Sequence, residues 1–367
     1  EVHEMDTQQL HALIAKEAGV KPNQAKQVIE LLEGGNTVPF IARYRKEATG
    51  SLDEVQIKAV EDRYTYIQNL EQRKTDVLRS IEEQEQLTPE LEKAIKGATV
   101  LQRVEDLYRP YKQKRRTKAI IAKEKGLQEL ADWLLTPGKE QLSSVVQQYL
   151  DHEKGVETAE EAIAGAQDIL AELFADDADI REKARRMTRD TGMLETAAKK
   201  GHEDEKQVFQ MYYEYSEAIK KIVPHRILAI NRGEKEGVLK VAVAPPIDRI
   251  IRLMKDKWLK TGNSAAKEVE AAIEDSYKRL IQPSIEREIR TELSEKGETQ
   301  AIHIFSENLR NLLLQPPMKD KMVLGVDPAY RTGCKLAVID ETGKLLEVAV
   351  IYPHPPKSDQ HGAKKTL

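Results

Sequence analysis

Apolar residues recur at spacings of three and four along most of this chain, and the breaks between those runs carry helix-ending chemistry. "MDTQQLHALIAKEAGVKPNQAKQVIELLEGG" predicts two helices joined at "AGV". Leu10, Leu13 and Ile14 give the first an apolar face; Val28, Ile29 and Leu32 give one to the second, which opens with Pro22 in its first turn and stops at Gly34-Gly35. Ala15 followed by Gly19 resembles the turn of a DNA-reading helix-turn-helix, and equally that of a plain structural hairpin.

In "NTVPFIARYRKEATGSLDEVQ" a loop leads to Ser51 and Glu54, the spacing of a capping box. A long helix is then expected from Leu52 toward Gln86 through Val55, Ile67, Leu70, Val77, Leu78 and Ile81. Thr88 with Pro89 starts the next helix, and Thr99 with Gln102 repeats the box before Pro110 ends that element. The pattern continues through "GLQELADWLL" and "VETAEEAIAGAQDILAELFADDADIREKARRMTRDTG". Asp176, Asp177 and Asp179 fall at a helix break there; they suggest a metal loop, or acids stabilised by the dipole at a helix start.

The period changes at "HRILAINRGEKEGVLKVAV". Ile227–Ile230 and Leu239–Val243 read as β-prone runs around a charged, Gly-containing turn, so a β-hairpin is expected at about 226–244. Helices resume with Ser264 as a cap, and Ile302, Phe305, Leu309 and Leu312 predict a last helix with one buried face. Pro316-Pro317 marks a boundary, followed by "VLGVDPAYRTGC" and "CKLAVIDETGKLLEVAVIYPHPP", a three-strand meander turning at "DETGK". A small sheet of that kind needs helices to cover it, and "SDQHGAKKTL" reads as a helix begun and cut off, so a truncated chain is expected.

Composition narrows the class. The 367 residues suffice for two or three domains, and 33% charged residues with only 4 Phe and 2 Trp favour amphipathic helices over an aromatic β core. The single cysteine, Cys334, excludes a disulfide framework and a cysteine zinc site within one chain, and fits a reducing compartment. No apolar run reaches the roughly 18 residues of a membrane span, and no signal-peptide order opens the chain, so a cytoplasmic location without membrane contact is expected. With net charge −4, affinity for nucleic acid has to come from local basic patches.

The densest such patch is "YRPYKQKRRTK", where Arg109, Lys112, Lys114, Arg115, Arg116 and Lys118 lie beside Tyr108 and Tyr111. The cations can neutralise phosphates and the tyrosines can stack on unpaired bases. "IREKARRMTR" carries Arg181, Lys183, Arg185, Arg186 and Arg189, whose helical spacing spreads them over more than one face as solvated surface. "FIARYRKE" carries Arg43, Arg45 and Lys46, able to hold phosphate or to tie the loop to acids such as Asp53. The 8 histidines include no helical metal-site pair, His354 lies in a proline-rich loop, and "RGEKEG" and "DETGK" lack the spacing of a phosphate loop. Cys334 reads as a reactive thiol or, more simply, a semi-buried one. Asp327, at the end of the strand 323–326, is the one candidate metal ligand, and a two-metal nuclease needs three or four carboxylates.

Four stretches in order, "NTVPFIARYRKEATGSLDEVQ", "LYRPYKQKRRTKAIIAKEKGLQELADWL", "HRILAINRGEKEGVLKV" and "LGVDPAYRTGCKLAVID", resemble the bacterial Tex family of transcription accessory proteins. The resemblance implies a longer protein with a helical N-terminal region, a YqgF or RNase H-like domain, helix-hairpin-helix motifs and a C-terminal S1 RNA-binding domain, of which this chain would hold the helical region and the opening strands of the YqgF-like domain. It implies nucleic-acid binding and transcription, and likeness to the helical core of a eukaryotic elongation factor that contacts RNA polymerase and histones. Asp327 matches the first acidic position of the YqgF pattern, in a family whose domain is thought to lack a full catalytic set.

The expectation is therefore a mainly α chain: an N-terminal helical domain over 1–118, a central helical region over 119–318 with the embedded hairpin, and the start of an RNase H-like α/β domain over 319–367. The expected role is a non-enzymatic scaffold binding RNA, and secondarily DNA, through Tyr108, Arg109, Tyr111, Lys112, Lys114, Arg115, Arg116 and Lys118, with no cofactor. The alternatives are a metal-dependent nuclease using Asp327 and a module docking on RNA polymerase or the ribosome.

Overall fold

The computed structural model describes residues 7–201, 203–316 and 318–367; Pro317, half of the expected boundary, lies outside them. The described chain is mainly α and divides into two compact units between Gly297 and Glu298.

In the first unit, α1 (Thr7–Ala18) and α2 (Pro22–Glu33) form the expected hairpin, closed by short α3 (Val38–Tyr44) and α4 (Lys46–Thr49) against α5 (Glu54–Glu83). Ile14, Val28, Ile29 and Ile41 pack with Ile57, Val60 and Ile67 of α5. The far half of α5 offers Leu70, Val77 and Ile81 to α6 (Pro89–Lys96) and α7 (Leu101–Tyr108), so this 30-residue helix is the spine of two adjoining cores. It does not start at Ser51. That residue follows left-handed Gly50 and is itself left-handed, at φ 63°, whereas an N-cap needs extended backbone. Asp53 caps instead, accepting from Gln56 N while the Gln56 side chain accepts from Asp53 N.

Thr88 caps α6 as expected, but at α7 the N-cap position falls on Val100 instead of Thr99 and has no side-chain cap, and the Leu101 N–H donates to Tyr66 Oη. Beyond it, α8 (Lys118–Glu124), α9 (Gln128–Leu135), α10 (Leu142–Val146), α11 (Ala159–Ala175) and α12 (Ala178–Thr191) enclose the largest core, around Leu130, Leu134, Ile169, Leu170 and Phe174. The break between α11 and α12 falls at Asp176-Asp177, and Asp177 accepts from Ile180 N as the cap of α12.

The expected hairpin at 226–244 is replaced by a different sheet. Residues Pro224–Lys235 form a helix, α13: Pro224 presets its first turn, and Ile227 and Ile230, three apart, are both buried on one face. The sheet has three antiparallel strands in the order β2-β1-β3, namely β1 (Met193–Ala198), β2 (Glu214–Ala218) and β3 (Leu239–Ala244), with Leu194 opposite Glu217 and Val243. The chain then runs through α14 (Ile247–Trp258) and α15 (Ala266–Asp275), whose cap is not Ser264, since Asn263 Oδ1 accepts from Ala265 N instead. One π-helical segment, Ser276–Ile281, joins α15 to α16 (Gln282–Leu313). Pro283 supplies no N–H, and the wider turn just before it absorbs that loss without ending the helix.

The second unit holds the last turns of α16, the meander β4 (Val323–Asp327), β5 (Cys334–Ile339) and β6 (Leu345–Ile351), and α17 (Gln360–Thr366). Cys334, Leu336, Ile351 and Ala363 are its buried residues, so the Cys334 thiol is a small core group. Val348 and Val350, on the opposite face of the meander, are exposed, and so are Leu324 and Val326 of β4, which pair with Val338 and Leu336 on the same face as the buried residues. The face of α16 expected to be buried is also exposed, at 67% for both Ile302 and Phe305. Helical spacing reveals an apolar stripe but not whether anything packs on it.

Gly192 joins α12 to β1, and a Cβ there would lie 2.4 Å from the Thr188 carbonyl oxygen and 3.2 Å from that of Ala244. Both obstacles are backbone. Gly192→Ala is expected to destabilise the chain by about 1–3 kcal/mol, seen as a lowered melting temperature by circular dichroism; an unchanged temperature would mean that this joint gives freely.

Candidate nucleic-acid interface

The segment after α7 was expected to present eight residues to a nucleic acid, and the structure divides them. Tyr108 and Tyr111 pack against the core of α5, α6 and α7, and Tyr108 Oη lies 3.0 Å from Ser80 Oγ. Their rings are half-buried, so they are not free stacking faces. Lys114 is held by Asp176, with Glu172 at 3.3 Å, and Arg109 Nε lies 3.4 Å from Asp176. Burial pushes the Asp176 carboxyl up from its ordinary value against the pull of Lys114. Arg116 pairs with Glu124 at 2.7 Å. Lys118 is exposed at the first position of α8, within the field of Asp168. Lys112 and Arg115 remain exposed and without an ion-pair partner among the described residues.

The basic stretch on α12 is solvated surface only in part: Lys183, Arg186 and Arg189 are exposed, and Arg181 and Arg185 are not. Arg181 is 0% and Arg185 6% exposed, and both meet Asp106 of α7, itself 2% exposed. Arg185 grips Asp106 with two hydrogen bonds, Nη1 to Oδ2 at 3.0 Å and Nη2 to Oδ1 at 2.9 Å, while its Nε donates to Glu288 of α16 at 2.6 Å. Arg181 donates to Ser284 Oγ at 2.5 Å and to the Ala175 carbonyl at 3.2 Å. Its Nε lies 3.7 Å from Asp106 Oδ1 and makes no hydrogen bond. Burial draws the Arg181 guanidinium down to about 10. Burial acts on Arg185 in the same direction, but the hydrogen bonds to Asp106 and Glu288 outweigh it and raise its pKa. Sequence reasoning missed this network because its partners lie 79 and 103 positions apart.

A cleft of about 550 Å³ opens beside the network, lined by Arg103, Arg185, Arg186, Arg189, Glu182 and Glu292 among others. Four arginines suggest an anion site, but the pairing decides against it. Arg103 binds Asp179 and Glu182, both at 2.9 Å, Arg189 binds Glu292 at 2.7 Å, and Arg185 is bound as above. Of the four, only exposed Arg186 has no ion-pair partner among the described residues.

The remaining basic stretch behaves differently. On α3, Val38 and Ile41 are buried, whereas Arg43, Arg45 and Lys46 are exposed and form no ion pair with Asp53 or any other acid among the described residues. Asp327 is exposed at the end of β4, opposite Lys335, and no group of three or more His, Cys, Asp or Glu side chains able to hold a metal is gathered among the described residues. No described helix is long and apolar enough to cross a membrane.

Family models match the chain in three segments: a Tex-like protein N-terminal domain over residues 8–82, a Tex central region-like model over 139–305 and a Tex protein YqgF-like domain over 321–367. The chain is 59% identical over 346 residues to the protein YdcI of Bacillus subtilis (strain 168), covering 94% of this chain and 48% of that protein. It is 38% identical to the transcriptional accessory protein Tex of Neisseria gonorrhoeae, covering 96% and 48%, and 30% identical to the S1 RNA-binding domain-containing protein 1 of Homo sapiens, covering 97% and 37%. The chain thus spans half or less of the length of these relatives. The antiparallel meander β4-β5-β6 fits the start of an RNase H-like α/β domain.

Removing Asp106 leaves two buried guanidinium groups without their shared carboxylate. Asp106→Ala is therefore expected to cost about 3–5 kcal/mol in urea unfolding, whereas Arg189→Ala, at an exposed pair, costs under about 1 kcal/mol. Equal and small costs at both positions would show that the buried network contributes nothing specific.

Proposed function

The chain belongs to the Tex family, and on that premise we propose that it is the nucleic-acid-binding helical scaffold of a transcription accessory protein, with RNA as its first partner and DNA as its second. The printed names of two relatives, a transcriptional accessory protein and an S1 RNA-binding domain-containing protein, support this reading.

The observation that carries it is the sorting of basic side chains in a chain of net charge −4. Arginines that brace helices are matched to carboxylates, whereas Lys112 and Arg115 project from the turn between α7 and α8 with no acid opposing them among the described residues. A phosphate chain supplies the missing negative charge and gains from releasing its counterions. Lys114 and Arg109, bound to Asp176, hold the base of the same turn in place. In this reading the chain acts as a non-enzymatic scaffold, and Asp327 is given no catalytic role.

Binding of a fluorescein-labelled oligouridine, followed by anisotropy at several salt concentrations, tests the reading. The Lys112→Gln, Arg115→Gln double variant is expected to bind more weakly, with a log–log salt slope shallower by about 1.4, from ~0.7 per phosphate contact on a single strand. Arg116→Gln, which opens an internal pair, changes the slope by much less. A double variant with the wild-type slope would remove this turn from the interface.

A further inference from the structure

Helix α3 is a short element with two unlike faces. Thr37 caps it, accepting from Phe40 N, and Val38 at 8% and Ile41 at 0% exposure fix it to the N-terminal core. Its anchoring is thus complete without the aromatic residues on its other side. Phe40 and Tyr44 lie one helical turn apart there, 36% and 64% exposed, with ring centroids 5.1 Å apart and planes tilted by 49°. The Arg45 guanidinium sits 4.9 Å from the Phe40 ring centroid and donates to the Tyr44 carbonyl at 3.0 Å, which sets one cation against the Phe40 ring and leaves Tyr44 the more open of the two.

Charge around this pair runs one way. From Thr37 to Gly50 the sequence has Arg43, Arg45 and Lys46 against Glu47 alone, and none of the three cations makes an ion pair among the described residues. Elsewhere in the same net-acidic chain, Arg73, Arg103, Arg185, Arg189, Arg279 and Arg290 all find carboxylates. Exposed aromatic rings flanked by unopposed cations form the combination that binds single-stranded nucleic acid: bases stack on the rings while cations meet the phosphates.

We infer that α3 and the start of α4 form a stacking platform for single-stranded RNA, in which Tyr44 and Phe40 take unpaired bases and Arg43, Arg45 and Lys46 take the flanking phosphates. The inference rests on the reading of the chain as an RNA-binding scaffold and adds a second contact to it, on a different element from the turn after α7. The site reads base faces and charge, so it favours unpaired over duplex RNA and is tolerant of base identity.

The test uses the 367-residue chain and the labelled oligouridine. Tyr44→Ala is expected to weaken binding roughly tenfold or more, while Tyr44→Phe, which keeps the ring, stays within about twofold of wild type. Arg43→Gln with Lys46→Gln is expected to flatten the salt slope by about 1.4. Binding of a duplex RNA should not respond to Tyr44→Ala. Because Tyr44 is largely exposed, the melting temperature of Tyr44→Ala should match wild type, which separates lost contact from lost fold. Full-strength oligouridine binding by Tyr44→Ala would overturn the platform while leaving the scaffold reading intact. An equal loss on duplex RNA would also overturn it, by showing that stacking is not the contact, and failure of the wild-type chain to bind oligouridine would overturn both.

Discussion

One buried carboxylate, Asp106, holds together two parts of the helical body. It lies on α7, whose neighbours Val104 and Leu107 belong to the core shared with α5 and α6. The arginines that grip it lie on α12, among residues of the larger central core, and Glu288 of α16 completes the set. Such a network contributes less net stability than its short distances suggest, because taking charges from water is costly. Its effect is directional. Two guanidinium groups meeting one carboxylate in a water-poor site allow α7 few positions, and any sliding would leave a charge buried without its partner. The angle at which α7 delivers the chain to the turn 109–117 is thereby set.

That constraint changes which basic residues are free to act. Counted along the sequence, the stretch at 181–189 is nearly as rich in cations as the stretch at 109–118, yet two of its arginines, Arg181 and Arg185, are buried. The same division runs through the 109–118 turn, where Arg109, Lys114 and Arg116 face carboxylates and Lys112 and Arg115 do not. The buried arginines have carboxylates opposite them, whereas Lys112, Arg115, Arg43, Arg45 and Lys46 are exposed with no ion pair among the described residues. In the N-terminal region, α3 and the start of α4 add an exposed aromatic pair, Phe40 and Tyr44, to such cations.

Much of the helical layout was legible because its signals are local. Pro22 and Gly34 bracket α2, Thr88 and Pro89 open α6, and the aspartates at 176–177 mark the break before α12. Where local signals competed, position alone could not decide. Ser51 and Asp53 are both good caps, and left-handed backbone at Ser51 chose Asp53. The sheet is not legible locally because β1, "MLETAA", and β2, "EYSEA", carry few β-branched residues, and β1 pairs on its other edge with β3, more than forty positions further on, while the isoleucines of α13 imitate a strand. The candidate interface was half legible. Tyrosines beside cations are visible in the sequence, but whether a ring is wedged into a core, as Tyr108 is, or stands clear of one, as Tyr44 does, is set by the tertiary packing.

The central claim is that the buried network removes Arg181 and Arg185 of α12 from ligand binding and leaves α3 and the turn after α7 to meet RNA. Hydrogen–deuterium exchange of the chain with and without oligouridine tests it most directly, since it reports every element at once. The account predicts slowed exchange on adding RNA in the segments around 38–46 and 110–117, with residues 181–189 already slow and unchanged. Protection by RNA confined to 181–189 and the cleft beside them, with none at 38–46, would contradict it.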